Sequence, residues 1–581
     1  MVSLLAVTRC FNEPVAPAGA SDQPIDPAEK LAKQHDEFGP LGDVSHLYTS
    51  VVSGGGMADP VIDDPPYFIV LTTYISFFVL IFLGHFHDFI ARWFRPHAYP
   101  YLNPRNGYAS LGDDFESFYI RRMKRRVNDC FERPTTGVPG RHVVLLDRVT
   151  SDNIKFHLAG TATSTLNLSS YNYLGFARSE GPCANAVETI RRDGISLAET
   201  YPCTSKLLVE VEDQIARLVG KEAAIVFSIG FSTNSTIIPC LVDAGCLILS
   251  DELNHASIRV GARLSGAAIE VFVHNNMTSL EERLRQVISQ GQPRTHRPWK
   301  KIMVTVEGLF SMEGTMCNLP RILELKKKYK FCLFIDEAHS IGAIGSQGRG
   351  VCDYFKVDPA EVDILMGTFT KSFGANGGYV AASKVIIDKL RCTNAGQVHG
   401  EAPALPILAQ ISSAVRLVAD EDSLHPGQGL ERVQRLAFNS RYLRLGLKRL
   451  GFIVYGHDDS PIVPLMLYHP AKMSAFSREM LRRKISVVVV TYPATPLELS
   501  RARFCVSAAH TKDDLDRVLK ACDEVGEALQ LKFSSGRAGG LKEPRLDGST
   551  STCKLNIIEP PRWTLTEVIE RGVRDAKLAF Y

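Results

Sequence analysis

Five short apolar runs constrain the fold more than any other feature of this chain. AAIVFSIGF, CLILSDE, KIMVTVEG, FCLFIDEAH and DILMGTF lie between Ala223 and Phe369. Each has the length of a strand, and each is apolar at consecutive positions, the mark of a strand buried on both faces. Helix-like stretches such as LEERLRQVISQG and LPRILELKKKYK separate them. Strand–helix alternation of this kind predicts an α/β domain with a mainly parallel sheet, over residues 161–430. From about Leu430 a second αβ pattern follows (RYLRLGLKRLGFIVYG, SPIVPLMLY, ISVVVV, RARFCVSA) and predicts a smaller C-terminal domain over 431–535. The tail, 536–581, carries SSGRAGG and DGSTSTC and is expected to be loosely ordered, ending in the helix-like TLTEVIERGVRDAKLAFY. No internal repeats are visible.

The N-terminal part has a different character. Residues 1–62 are rich in Pro, Ala, Gly and Asp without sustained periodicity, and read as disordered. No basic segment followed by an apolar one opens the chain, so a cleaved signal peptide is not expected. Residues 63–90 read as a membrane helix. Tyr67 to Phe86 contains no Asp, Glu, Lys or Arg, and about 20 such residues suffice to cross a bilayer. A helix lying flat in the interface, or buried in a core, satisfies the same pattern. Asp63 and Asp64 precede the run, whereas Arg92, Arg95 and the RRMKRR stretch from Arg121 to Arg126 follow it. That asymmetry predicts a cytosolic C-terminal bulk. Residues 91–160 form the juxtamembrane segment and N-terminal arm.

With 581 residues the chain can bury a large core. Its net charge of +3 is too small to argue for a nucleic-acid partner. The 13 cysteines are scattered, with no C-x-x-C pair, which suits reduced thiols rather than a disulfide framework or a metal site.

Ligands of open α/β sheets bind beyond the C-terminal ends of the strands, and four such ends here carry unusual polar residues. FIDEAHSIG puts Asp336 and His339 past an apolar run, LILSDELNHASI places His255, and VEGLFSMEG sets Ser311 in a tight loop. Any one of these is explained as readily by helix capping or a turn. SIGFSTN supplies glycine and hydroxyl residues where a strand turns into a helix, a natural phosphate cradle. GTFTKSFGANGGYV adds Lys371 with Thr368 and Thr370. A phosphate site, an acid, a histidine and a lysine at neighbouring strand ends form the set that holds pyridoxal 5'-phosphate. The lysine makes the Schiff base, the acid pairs with the pyridinium nitrogen, and the imidazole stacks on the ring.

These residues also carry a resemblance. SYNYLGFA, LSDELNHASI, VEGLFSMEG, IDEAHSIG, GRG, GTFTKSFGANGGY and RARFCVSAAHT occur in order. In them the chain resembles the α-oxoamine synthase family of fold-type I pyridoxal-phosphate enzymes. QGQPRTHRPWKK and YPATPLELSRARFC are similar to its eukaryotic serine palmitoyltransferase branch. The likeness spans roughly Asp63 to Phe533. It implies Lys371 as the Schiff-base lysine, Asp336 at the pyridinium nitrogen and His255 on the ring. His339 and Ser311 are implied near the phenolic oxygen. Gly230, Phe231 and Thr368 are implied at the phosphate, and Arg503 at the amino-acid carboxylate. It further implies L-serine and a long-chain acyl-CoA as substrates and a related, lysine-lacking subunit as partner in a heterodimer. The implied setting is the endoplasmic reticulum membrane, with the catalytic domain facing the cytosol. A non-catalytic scaffold subunit, or a sister synthase using another amino acid, are the alternatives. One stretch, LAETYPCTSKLLVEVEDQIARLVG, departs from the family pattern, lacking its arginine and placing Leu208 about where a histidine falls. NAGQVHGEAPALP departs as well.

Overall fold

The computed structural model describes residues 27–52, 63–94, 106–110, 117–179, 186–196, 205–492, 494–539 and 563–578, with a few isolated positions between them. Strands β1 (Thr135–Thr136), β2 (His142–Val149) and β3 (His157–Asn167) form an antiparallel ladder. Seven strands then build the central sheet: β4 (Ala223–Phe227), β5 (Leu247–Asp251), β6 (Ala268–Phe272), β7 (Ile302–Glu307), β8 (Cys332–Asp336), β9 (Ile364–Thr368) and β10 (Gly378–Ala382). Their order is β4-β10-β9-β8-β7-β5-β6, and β10 alone runs against the rest. The five strands predicted from apolar runs are all here. Their central residues, among them Ile225, Ile248, Val304, Phe334 and Ile335, are fully buried.

In the C-terminal region, β11 (Ile462–Met466), β13 (Val488–Val490) and β14 (Arg501–Cys505) make an antiparallel sheet in the order β11-β14-β13. The short β12 (Ile485–Ser486) pairs in parallel with β3, so the early ladder packs on the C-terminal region. Beside these strands lies the helix Gln428–Arg449, which is unusual in burying five arginines: 432, 435, 441, 444 and 449. A buried guanidinium is costly unless it meets acceptors, and each of the five reaches at least one. Arg432 donates to Leu174 O, Arg435 to Gly39 O, Arg441 to Ala576 O, Arg444 to Ile462 O and Arg449 to Asp575. One helix thereby gathers backbone from both ends of the described chain.

Residues 27–52 depart from the disorder expected of their composition. Pro27–Glu37 is helical, and the Phe38 ring lies under Arg432 at 4.1 Å and Arg435 at 4.6 Å. One aromatic ring and the Gly39 N–H bond to Ala509 O hold a segment whose composition alone would not fold. Residues 1–26 and 53–62 lie outside the described residues. In the tail, the helix Leu565–Asp575 is docked rather than loose. Asp575 is fully buried, and Trp563 sits between Arg449 and Arg571.

The apolar run forms the helix Tyr67–Phe94, and Tyr67–Ala91 is long and apolar enough to cross a membrane. Ile69, Thr73, Phe77, Asp88 and Ala91 are buried on one stripe, while Phe68, Phe78, Phe82, Phe89 and Trp93 are more than half exposed. The buried stripe is fastened at intervals. Ser76 Oγ meets His469 Nε2 at 2.7 Å, Gly84 admits the Phe118 ring, and Asp88 pairs with Arg122.

Candidate active site

The ends of β4, β5, β7, β8 and β9 converge, and the residues singled out in the sequence meet there. Asp336, the last residue of β8, is 4% exposed. Its Oδ1 accepts the Ala338 N–H at 2.8 Å and its Oδ2 accepts Asn234 Nδ2 at 2.7 Å. Asn234 stands one turn into the helix Gly230–Leu241 and spends its second N–H on Ser257 Oγ, 3.0 Å away. Ser257 Oγ lies 2.7 Å from His255 Nδ1, and the Ser257 N–H also donates to that nitrogen. Two donors on Nδ1 leave the imidazole's own proton on Nε2. Burial lowers the His255 pKa; Asp336 opposes this and Lys371 adds to it. A continuous chain of hydrogen bonds thus joins Asp336 to His255.

Lys371 follows β9 and is half-buried. Burial lowers its pKa, against the raising effect of Asp336 and Glu307. A lysine so placed is closer to the free amine that nucleophilic chemistry needs. Its Nζ stands 6.0 Å from the centre of the Tyr171 ring, which also lies under Arg503 at 4.7 Å. His339 packs edge-on to Tyr171, 5.2 Å between centroids, and its Nδ1 meets Tyr173 Oη at 2.8 Å. Burial pushes the His339 pKa well down, so the ring is neutral. Arg503, on β14, is 5% exposed and reaches Ser311 O and Met312 Sδ at 3.4 Å each. The Ser311 contribution is therefore its carbonyl on Arg503.

Beyond β4, Gly230 and Phe231 open the helix Gly230–Leu241, whose N-cap, Ile229, offers no side-chain acceptor. The first backbone N–H groups of such a helix have no intrahelical partner. Thr368, the last residue of β9, flanks them: a Cβ on Gly230 would stand 3.0 Å from Thr368 Cγ2. Thr368 Oγ1 is buried without a hydrogen-bond partner. On Gly378, a Cβ would meet Thr233 Oγ1 at 2.7 Å, so only glycine lets β10 run this close to the helix. An unsatisfied hydroxyl beside a helix N-terminus fits an anion such as a phosphate. With Lys371, Asp336 and a neutral imidazole on the adjoining strand ends, the set fits pyridoxal 5'-phosphate.

Asn234, Ser257, Glu307 and Tyr171 complete the cleft without having been singled out as site residues. Glu307 ends β7, is 3% exposed, and accepts the His255 backbone N–H. The departing stretch is partly visible. Leu208 is a core residue of the helix Lys206–Val219, capped by Ser205, and residues 197–204 lie outside the described residues. The 394–406 stretch lies against the cradle, with Gln397 donating to Val226 O and Ser228 to Glu401 O.

A profile of the aminotransferase class I and II family matches residues 163–522. Serine palmitoyltransferase 2 of Schizosaccharomyces pombe is 54% identical over 560 residues, covering 94% of this chain and 92% of the relative. Serine palmitoyltransferase 2 of Saccharomyces cerevisiae is 50% identical over 571 residues, covering 97% and 98%. Among solved structures, a high-resolution structure of SPT with PLP internal aldimine matches with a TM-score of 0.62 and 27% identity, over 72% of this chain and 98% of that one.

Proposed function

The chain belongs to the serine palmitoyltransferase family of class I and II aminotransferase-fold, pyridoxal-phosphate enzymes, and we propose that it is a lysine-bearing catalytic subunit. On this reading it condenses L-serine with a long-chain acyl-CoA, such as palmitoyl-CoA, to give 3-ketosphinganine, free CoA and carbon dioxide. The observation that carries the reading is Lys371, just past the end of β9, beside the Asp336–Asn234–Ser257–His255 chain.

Pyridoxal 5'-phosphate, when bound, supplies an electron sink for a carbanion at the amino acid's α-carbon. The Gly230 and Phe231 amides with the Thr368 hydroxyl would hold its phosphate, Asp336 its ring nitrogen, His255 its ring face and Lys371 its aldehyde carbon. His339 would stand toward its phenolic oxygen, and Ser311 would act through the carbonyl it gives Arg503. Arg503 grips the serine carboxylate, its guanidinium kept in plane by the Tyr171 ring beneath. Lys371, its pKa lowered toward the free amine, takes the proton from serine Cα. Asn234 and Ser257 hold Asp336 and His255 in fixed relation.

The apolar face of Tyr67–Phe94 supports a place at a membrane, proposed as that of the endoplasmic reticulum with the catalytic domain in the cytosol. A sixteen-carbon chain gains ~0.8 kcal/mol for each CH₂ that leaves water, which favours passing the product directly to lipid. A related subunit lacking the lysine is the proposed partner, making a heterodimer. The test is to purify the chain with that subunit in detergent, record the visible absorbance, and add L-serine and then acyl-CoA. A lysine-linked band that responds to serine and disappears in Lys371→Ala, followed by acyl transfer, is the expected result. No band in the presence of added cofactor refutes the reading; a band without acyl transfer refutes the catalytic role.

A further inference from the structure

On the reading of this cleft as the cofactor site, we propose that Glu307 is a positioning residue: by accepting the His255 backbone N–H it sets where the imidazole stands. The loop between β5 and the helix Ala256–Leu264 is tied to β7 at two points. Asn254 Nδ2 donates to Thr305 O at 2.8 Å, and the His255 N–H donates to Glu307 Oε1 at 2.5 Å. His255 is the N-cap residue of that helix, so its N–H lies outside the helical ladder and needs an acceptor from elsewhere. Its ring is fixed at the other end through Ser257, Asn234 and Asp336. Glu307 and Asp336 are register partners on adjacent parallel strands, so the circuit closes on itself.

The same pairing sets the charge of the cleft floor. Two buried carboxylates side by side do not both ionise. Asp336 has two N–H donors and Glu307 has one, so the proton goes to Glu307. Burial, and then Asp336, push the Glu307 pKa well above the carboxylate range; the His255 N–H bond and then Lys371 pull it down, and Glu313 adds to the rise. The working form of Glu307 is thus a neutral acid with a carbonyl oxygen on His255, and glutamine reproduces it.

The full chain with its partner subunit, in detergent, is titrated with pyridoxal 5'-phosphate by visible absorbance, and the bound spectrum is followed against pH. Thermal unfolding reports folding. Glu307→Ala is expected to weaken cofactor binding about tenfold, because the imidazole it places is no longer held where the cofactor ring would meet it. Glu307→Gln is expected to stay within about twofold, with a spectral pH profile that superimposes on the parent. In a His255→Ala background, Glu307→Ala is expected to cost nothing further, because the ring it positions is gone. Parental affinity in Glu307→Ala, additive losses with His255→Ala, or a displaced pH profile in Glu307→Gln overturns the role. If Glu307→Ala does not fold, the Glu307→Gln profile decides. A parent chain without a cofactor band is a different failure, that of the cofactor site itself.

Discussion

Asn234 is the hinge of the site's hydrogen bonding, and replacing it should separate two effects that most substitutions confound. Asn234→Ala removes the donor 2.7 Å from Asp336 and the donor 3.0 Å from Ser257. Asp336 retains only the Ala338 N–H, and Ser257 loses the bond that orients its hydroxyl toward His255. A hydrogen bond to a charged group contributes about 1.5–3 kcal/mol. If the cofactor-free cleft relaxes and the filled one does not, this loss falls on cofactor binding, about 10- to 150-fold in Kd. The isosteric Asn234→Asp sharpens the test. Its carboxylate faces Asp336, so near pH 8 the two repel and binding should fall at least as far. As pH drops, the introduced carboxyl takes a proton and donates it to Asp336, and affinity should recover. Absorbance titrations with pyridoxal 5'-phosphate at several pH values measure both, and thermal unfolding of the free protein monitors folding. Parental affinity in Asn234→Asp near pH 8, or a loss indifferent to pH, refutes the reasoning.

Three further outcomes are expected. Glu337, 2% exposed, has its pKa raised to about 7, chiefly by burial and against the bonds from Ser340 and Val351. Its folded pKa lies above the unfolded value of 4.5, so its stabilising contribution is complete below pH 4.5 and lost as pH climbs through about 7. The melting temperature of Glu337→Gln relative to the parent should therefore rise from about pH 5 to about pH 8, and a pH-independent difference would sink the assignment. Asp575→Ala removes the carboxylate that meets the buried Arg449 and should cost about 3–5 kcal/mol in chemical denaturation, whereas Arg574→Ala, which removes a solvent-exposed guanidinium from the same carboxylate, should cost under about 1 kcal/mol. Equal effects would mean that the tail helix is not held by that ion pair. Phe78→Asp with Phe82→Asp, on the exposed side of the apolar helix, should release the protein from vesicles in flotation by more than about tenfold while sparing its melting temperature. Phe77→Ala, on the buried stripe, should do the reverse.

What could be read from the sequence follows from which interactions are local. Strands β4, β5, β7, β8 and β9 are legible because burial on both faces keeps them almost wholly apolar until the strand ends, Thr305 being an interior exception. That same rule exposes Asp336 and His255 as unusual. Strand β10 hides in GGYVAAS, where glycines required by close approach to the Gly230–Leu241 helix mask its strand character. Strand β6 carries Glu270 and partly exposed positions, as the edge of the sheet permits. Asn234 and Ser257 give no signal alone, because their role depends on the order that sets β8 beside β7 and β7 beside β5. Glu307 becomes notable only once its register with Asp336 is known. The folded segment 27–52 was illegible for a similar reason: its order comes from arginines some four hundred residues away in sequence.

The arginine-rich helix also bears on how the chain comes into being. Arg441 takes a carbonyl 135 residues downstream, and Arg449 a carboxylate 126 residues downstream, both from the last described stretch. While that stretch is still being synthesised, these guanidiniums have no such partners and cannot be sealed into a core. The C-terminal region therefore completes its packing only once Asp575 and Ala576 have been made. A truncation ahead of Asp575 deletes not a dispensable tail but the closing step of the fold.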